Sequence, residues 1–72
     1  MFEQLLSQIK EKGEPLTGRN EEGEVSVVSS GENDNGFYIE VDTYQTNGWI
    51  RINLYYENGD TEELYRKDKQ AV

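Results

Sequence analysis

The sequence predicts an α+β fold: one N-terminal helix packed on one face of a four-stranded antiparallel meander sheet. A fifth strand joins if the segment 16–23 forms a short first strand ahead of its turn. Three observations carry this reading. Apolar residues near the N-terminus repeat at helical spacing, later ones fall at every second position, and two Asn-Gly pairs separate the later blocks.

The helix comes first, over about residues 2–12. Phe2, Leu5, Leu6 and Ile9 stand at i, i+3, i+4 and i+7, one apolar stripe on an otherwise polar cylinder. Glu3 lies near the positive end of the helix dipole, and Lys10 and Lys12 lie near the negative end. Gly13 then offers a left-handed C′ position, and Pro15 forbids continuation.

Strands are predicted over about 24–30, 36–44, 48–56 and 61–66, with a frayed tail over 67–72. Val25, Val27 and Val28 mark the first, ended by Ser29-Ser30-Gly31 and the polar run Glu32-Asn33-Asp34-Asn35-Gly36. In the second, Phe37, Ile39, Val41 and Thr43 take one side and Tyr38, Glu40, Asp42 and Tyr44 the other.

Register follows from the turns. Asn47-Gly48 reads as a two-residue type I′ turn, because both residues tolerate positive φ. That turn pairs Thr43 with Ile52 and Val41 with Leu54, so the apolar faces of the two strands coincide. At Asn58-Gly59 a two-residue loop would set Leu64 on the polar side. A three-residue loop, Glu57-Asn58-Gly59 with a left-handed glycine, sets Leu64 opposite Ile52 instead. The core expected from this register is Phe2, Leu5, Leu6, Ile9, Val25, Val27, Phe37, Ile39, Val41, Ile50, Ile52, Leu54 and Leu64.

Composition narrows function more than any motif does. A chain of 72 residues makes one domain with a thin core, stable by roughly 4–10 kcal/mol. Fifteen acidic and seven basic residues give a net charge of −8. This balance argues against direct binding of nucleic acid or of an anionic membrane, both of which need Lys and Arg. Met1-Phe2-Glu3-Gln4-Leu5-Leu6 lacks the basic and apolar regions of a secretory signal, and no run of about 20 apolar residues is present. The expected location is the cytoplasm.

Neither histidine nor cysteine occurs. That removes the usual neutral-pH base, the strongest side-chain nucleophile, disulfides and the softer metal ligands together. No phosphate-cradling glycine string occurs, and a calcium loop centred on Gly36 would start at Gly31, which has no ligand to give. The expectation is a non-enzyme with no cofactor and no metal.

In the predicted register the sheet face away from the helix carries Tyr44, Arg51 and Tyr65 in one row. Asp42, Asn53 and Glu63 form the next row, and Glu40, Tyr55 and Thr61 the third, with Tyr38 and Trp49 at the margins. Tyr38, Glu40, Asp42, Tyr44, Trp49, Arg51, Tyr55, Glu63 and Tyr65 are therefore the expected partner-binding residues, since Tyr, Trp and Arg dominate interface hot spots. Cross-strand aromatic pairing stabilises a sheet by itself, so the same rows also suit a purely structural role.

The composition points first to a non-catalytic module that regulates or inhibits a larger, basic-surfaced protein, its acidic sheet imitating a phosphate backbone. A self-associating subunit using the aromatic face is the main rival, although a charge of −8 per chain favours the monomer. A small-ligand or carbohydrate binder stacking on Trp49 and the tyrosines is the third, set against the lack of a concave site.

Overall fold

The computed structural model describes residues 2–46 and 48–68 and shows an α+β fold of one helix and a five-stranded antiparallel sheet. The helix α1 spans Phe2–Lys12. The strands are β1 (Leu16–Arg19), β2 (Val25–Asn33), β3 (Gly36–Tyr44), β4 (Ile50–Tyr56) and β5 (Thr61–Lys67). They neighbour one another in chain order, so the sheet is a meander. The segment 16–23 does supply the fifth strand. The tail expected over 67–72 begins later, because Lys67 belongs to β5, and residues 69–72 lie outside the described residues.

The Gly13 N–H closes α1 on the Ile9 carbonyl at 2.8 Å, and Gly13 has the positive φ of 82° that its position at the helix end requires. β3 has the bounds expected of it. β2 runs three residues further than expected, with Gly31 opposite Tyr38 and Asn33 opposite Gly36. Gly31 fits inside the strand because the Tyr38 ring covers it, so that a Cβ there would run into the ring.

Three hairpins share one loop. Residues 21–23, 46–48 and 57–59 each form three-residue connections ending in glycine, at φ of 88°, 90° and 95°. The glycine N–H donates back to the residue that opens the loop: Gly23 to Asn20 at 3.2 Å, Gly48 to Gln45 and Gly59 to Tyr56 at 3.0 Å each. The Glu57–Gly59 loop is the one expected. The two-residue turn at Asn47-Gly48 is not formed. The Gln45 N–H donates to the Trp49 carbonyl at 2.9 Å, which leaves three residues between them. Asn47 itself lies outside the described residues. Such a loop needs positive φ only at its glycine, whereas a type I′ turn needs it at both central residues.

That one added residue turns β4 over. Thr43 faces Arg51, Asp42 faces Ile52, Val41 faces Asn53 and Glu40 faces Leu54. Directly opposed residues of antiparallel strands project to the same side. Arg51, Asn53 and Tyr55 therefore share the helix side with Ile39 and Val41, while Ile50, Ile52, Leu54 and Tyr56 share the other side with Tyr38, Glu40, Asp42 and Tyr44. A second shift follows in β5, where Ile52 faces Tyr65 and Asn53 faces Glu63. Leu64 is the extra residue of a bulge and is 51% exposed instead of facing Ile52 in the core.

The core under α1 is consequently small. Ile9, Val28 and Ile39 are buried, with Phe2, Leu5, Leu6, Leu16, Phe37 and Val41 packed around them. Phe2 and Phe37 meet edge to face at 6.0 Å. Val28, not Val25 or Val27, is the β2 residue beneath the helix, because it lies opposite Val41. Val25, Val27, Ile50, Ile52 and Leu54 belong to the other face. With principal extents of 40 × 26 × 15 Å, the molecule is two layers thick and no more.

β2 outruns β1, and a side chain caps the edge this exposes. The Glu14 carboxylate accepts from the Ser30 N–H at 2.9 Å and from the Ser30 hydroxyl at 2.6 Å. The hydroxyl first, and the amide second, hold Glu14 below the usual carboxylate range. A lowered folded-state value means stability that is present above the unfolded value and lost as pH falls through the folded one. Glu14→Ala should therefore lower the melting temperature at neutral pH, and its deficit against wild type should shrink as pH drops below about 4. An equal deficit at all pH values would show that the carboxylate charge contributes nothing.

The loop glycine makes a second test. A Cβ on Gly48 would meet nothing within 4 Å, so Gly48→Ala carries only the cost of its positive φ, about 1–2 kcal/mol by urea titration. Gly18→Ala, equally uncrowded and at ordinary strand φ, should be neutral or slightly stabilising.

Candidate functional site, the open face of the sheet

α1 packs against β1, β2 and β3, and among the described residues no element covers the opposite side of the sheet. That open face is built from alternate residues of five strands. Thr17 and Arg19 come from β1, Val25 and Val27 from β2, Tyr38, Glu40, Asp42 and Tyr44 from β3, Ile50, Ile52, Leu54 and Tyr56 from β4, and Tyr65 from β5. The sheet thus has apolar residues on both faces. Val25, Val27, Ile50 and Ile52 stay partly accessible, and Tyr44 and Tyr65 are 37% and 48% exposed.

One end of the face is closed and the other is open. At the closed end Tyr56 meets Tyr38 edge to face at 6.2 Å and accepts a hydrogen bond from the Asn33 amide at 3.0 Å. Its hydroxyl donates to Glu62 at 2.9 Å, and Leu54 below is only 3% exposed. These contacts satisfy the polar end of a buried tyrosine and hold the loop ends of β2, β4 and β5 together.

Two carboxylates sit at the centre of the face. Glu40 lies between Ser29 and Leu54, and Asp42 between Val27 and Ile52. They stand two residues apart on one strand, hence on the same side. The hydrogen bond to Asp42 first, then burial and the Asp42 charge, hold Glu40 above the usual carboxylate range. Tyr44 is also raised, by burial first, then by the charge of Asp42, its hydrogen bond to Asp42 and the Glu40 charge. Even so, Asp42 Oδ1 is buried and has no hydrogen-bond partner. A buried acceptor left in that state costs free energy, on the order of 1–3 kcal/mol.

Of the nine expected site residues, the structure brings Tyr38, Glu40, Asp42, Tyr44 and Tyr65 together on this face. Trp49, Arg51, Tyr55 and Glu63 lie on the helix side, because the β3–β4 loop has one residue more than the predicted turn. Sequence reasoning missed Val25, Val27, Ile50 and Ile52 by assigning them to the core. Their alternation was visible in the sequence, but alternation does not say which face is covered.

Arg51 serves a different purpose from the expected one. Its guanidinium lies 4.6 Å from the centre of the Trp49 ring, donates to the carbonyls of Ile50 and Lys67 at 2.8 and 2.9 Å, and reaches Asp68 at 2.8 Å. Asp68 also accepts from Arg66 at 3.2 Å, and Arg66 stands directly opposite Arg51. Arg66 first and Arg51 second hold the Asp68 carboxyl below its ordinary range. The cluster fastens the end of β5 to β4.

No protein-family model, characterised protein or solved structure matches this chain. Among the described residues no three carboxylates are grouped to hold a metal, and no helix is long and apolar enough to cross a membrane. Beside the sheet, a shallow cleft of about 410 Å³ follows the start of α1, between Phe2, Glu3 and Gln4 on the helix and Tyr55, Glu57 and Asp60 on the β4–β5 hairpin.

Arg51→Ala should lower stability by about 1–3 kcal/mol, through lost carbonyl hydrogen bonds and the ring contact. Amide exchange should show that loss concentrated in β5. Uniform protection across the sheet after the substitution would refute the fastening role.

Proposed function

We propose that this protein is a non-catalytic binding module that docks a larger, basic-surfaced protein on the open face of its sheet, as a regulator or inhibitor of that protein. The observation that carries this reading is the pair Glu40 and Asp42 set among partly accessible apolar side chains on a face that no described element covers. Apolar area drives such an association and the acidic charge steers it. Exposed tyrosines framing the patch have the composition of a protein interface. The catalytic residue types are missing from the sequence, and the carboxylates stand on an open sheet instead of inside a pocket.

Glu40, Asp42 and Glu62 are interleaved with Val27, Ile52 and Leu54 on this face, while Glu63 lies on the other. A row of charges imitating a phosphate backbone is therefore less well supported than an apolar interface with an acidic centre. Two copies joined face to face would bring four carboxylates together in a desolvated layer, which argues for a different partner over a second copy.

Tyr65→Ala separates docking from folding. Its ring is 48% exposed, so its loss should change unfolding free energy by no more than about 0.5 kcal/mol. Affinity for a captured partner should fall by ~2 kcal/mol or more, and wild-type binding should weaken as salt rises. Full affinity in Tyr65→Ala and Tyr44→Ala together, or affinity independent of salt, would remove the reading.

A further inference from the structure

We propose that Asn35 is a site of spontaneous covalent modification, losing its side-chain amide to water through a cyclic imide formed with the Gly36 nitrogen. The equivalent pair Asn58-Gly59 is protected by Asp60.

Three asparagines of this chain precede a glycine: Asn35, Asn47 and Asn58. The amide carbon of an asparagine lies where the next backbone nitrogen can reach it by closing a five-membered ring, and that proximity makes a slow attack feasible. Glycine favours the closure, because no Cβ crowds the attacking nitrogen and its backbone rotates freely. Asn47 lies outside the described residues, so the structure compares Asn35 with Asn58.

In the first step the Gly36 nitrogen gives up its proton and bonds to Asn35 Cγ. The Cγ–Nδ2 bond breaks, and Nδ2 leaves as ammonia. Water then opens the imide at one of its two carbonyls. Cleavage between Cγ and the nitrogen leaves aspartate at position 35, and cleavage at the main-chain carbonyl leaves isoaspartate. One water is consumed, one ammonia is released, and the chain gains one negative charge.

The two hairpin tips differ in how the side-chain amide is held. Asn58 Nδ2 donates to Asp60 Oδ2 at 3.0 Å, and Asn58 Oδ1 accepts from the Asp60 N–H at 2.9 Å. Both ends of that amide are therefore engaged, and the Gly59 N–H is itself donated to the Tyr56 carbonyl at 3.0 Å. Asn35 is exposed, and its backbone N–H donates to Asn33 Oδ1 at 2.8 Å. Among the described residues no hydrogen bond holds its side-chain amide, which is free to turn toward Gly36. Gly36 forms the last rung of the β2–β3 ladder, opposite Asn33, and the end of a ladder opens first.

The change reaches beyond the tip. Asn33, which accepts from Asn35, also donates to the Tyr56 hydroxyl at 3.0 Å. Asn35 shares a shallow hollow of about 710 Å³ with Tyr56, Asp60 and Glu62. A carboxylate at position 35 joins two others there, and isoaspartate lengthens the turn that Asn33 ties to Tyr56.

The experiment is peptide mapping by mass spectrometry of the intact folded chain, held at mildly alkaline pH where the glycine nitrogen loses its proton more readily. Asp60→Ala and Asn35→Gln are mapped alongside. The expected result is a gain of one mass unit, with isoaspartate, several-fold faster at Asn35 than at Asn58. Asp60→Ala should speed the reaction at Asn58 and leave Asn35 unchanged, which separates the lost pin from a general loosening of the fold. Asn35→Gln should abolish the early product, because the longer side chain closes only a six-membered ring. Equal or faster modification of Asn58 in the wild-type chain would overturn the proposal. So would an unmodified Asn35 over a period in which the urea-unfolded chain reacts there. An Asp60→Ala chain whose Asn58 reacts no faster would overturn the protective role of Asp60.

Discussion

Three residues separate Gln45 from Trp49, and that count decides where every side chain of β4 points. A sheet has period two, so a loop longer or shorter by one residue exchanges the two faces of the strand that follows it. Here the exchange sends Ile50, Ile52 and Leu54 away from α1 and brings Arg51, Asn53 and Tyr55 to its side. The small helix-side core, the apolar open face and the Arg51 cluster at the β4–β5 edge all descend from it. Gly48 makes the longer loop available, because it holds a φ of 90° that other residues adopt only at a cost.

The consequence is a sheet whose two halves face opposite ways. β2 and β3 give Val28, Ile39, Val41 and Phe37 to the helix, whereas β4 gives its aliphatic residues to the open face. A single helix of eleven residues, about 16 Å long, spans three strands and no more. The helix side of β4 and β5 is correspondingly polar, held by Arg51, Asp68 and Arg66 instead of by packing. β5 is accessible along its whole length, and the bulge at Leu64 interrupts the regular ladder that another chain would need to pair with it.

How far the sequence reveals this depends on how local each signal is. α1 was legible because its stripe, its dipole charges and its glycine stop all lie within fourteen residues. β3 was legible because strict alternation ends at a glycine on one side and a turn on the other. The Glu57–Gly59 loop was legible because the alternative would have misplaced Leu64, yet the bulge then exposed Leu64 anyway and put Tyr65 opposite Ile52. The β3–β4 turn was not legible. Asn-Gly fits a two-residue and a three-residue loop equally, and the choice was made by assuming that all aliphatic residues share one core. That assumption fails in a sheet with apolar residues on both sides. Five of the nine expected residues lie on the open face because they belong to β3, or to β5 beyond the bulge, where two register shifts of one residue cancel for Tyr65.

An apolar face could have been left free of charge, and the fold would be the more stable for it. Glu40 and Asp42 occupy positions where their neighbours on β2 and β4 are mostly aliphatic, and Asp42 keeps a buried oxygen without a donor. Threonine or valine at either position would suit the strand better and pair more favourably across it. A carboxylate pair set among aliphatic neighbours is the kind of local conflict that sequences often retain at working sites. Repulsion between two such faces would also oppose the self-association that Val25, Val27, Ile50 and Ile52 alone would favour. On the docking reading proposed above, a basic-surfaced partner would offset that repulsion while covering the aliphatic frame, so the same pair of residues would disfavour a second copy and favour a different protein.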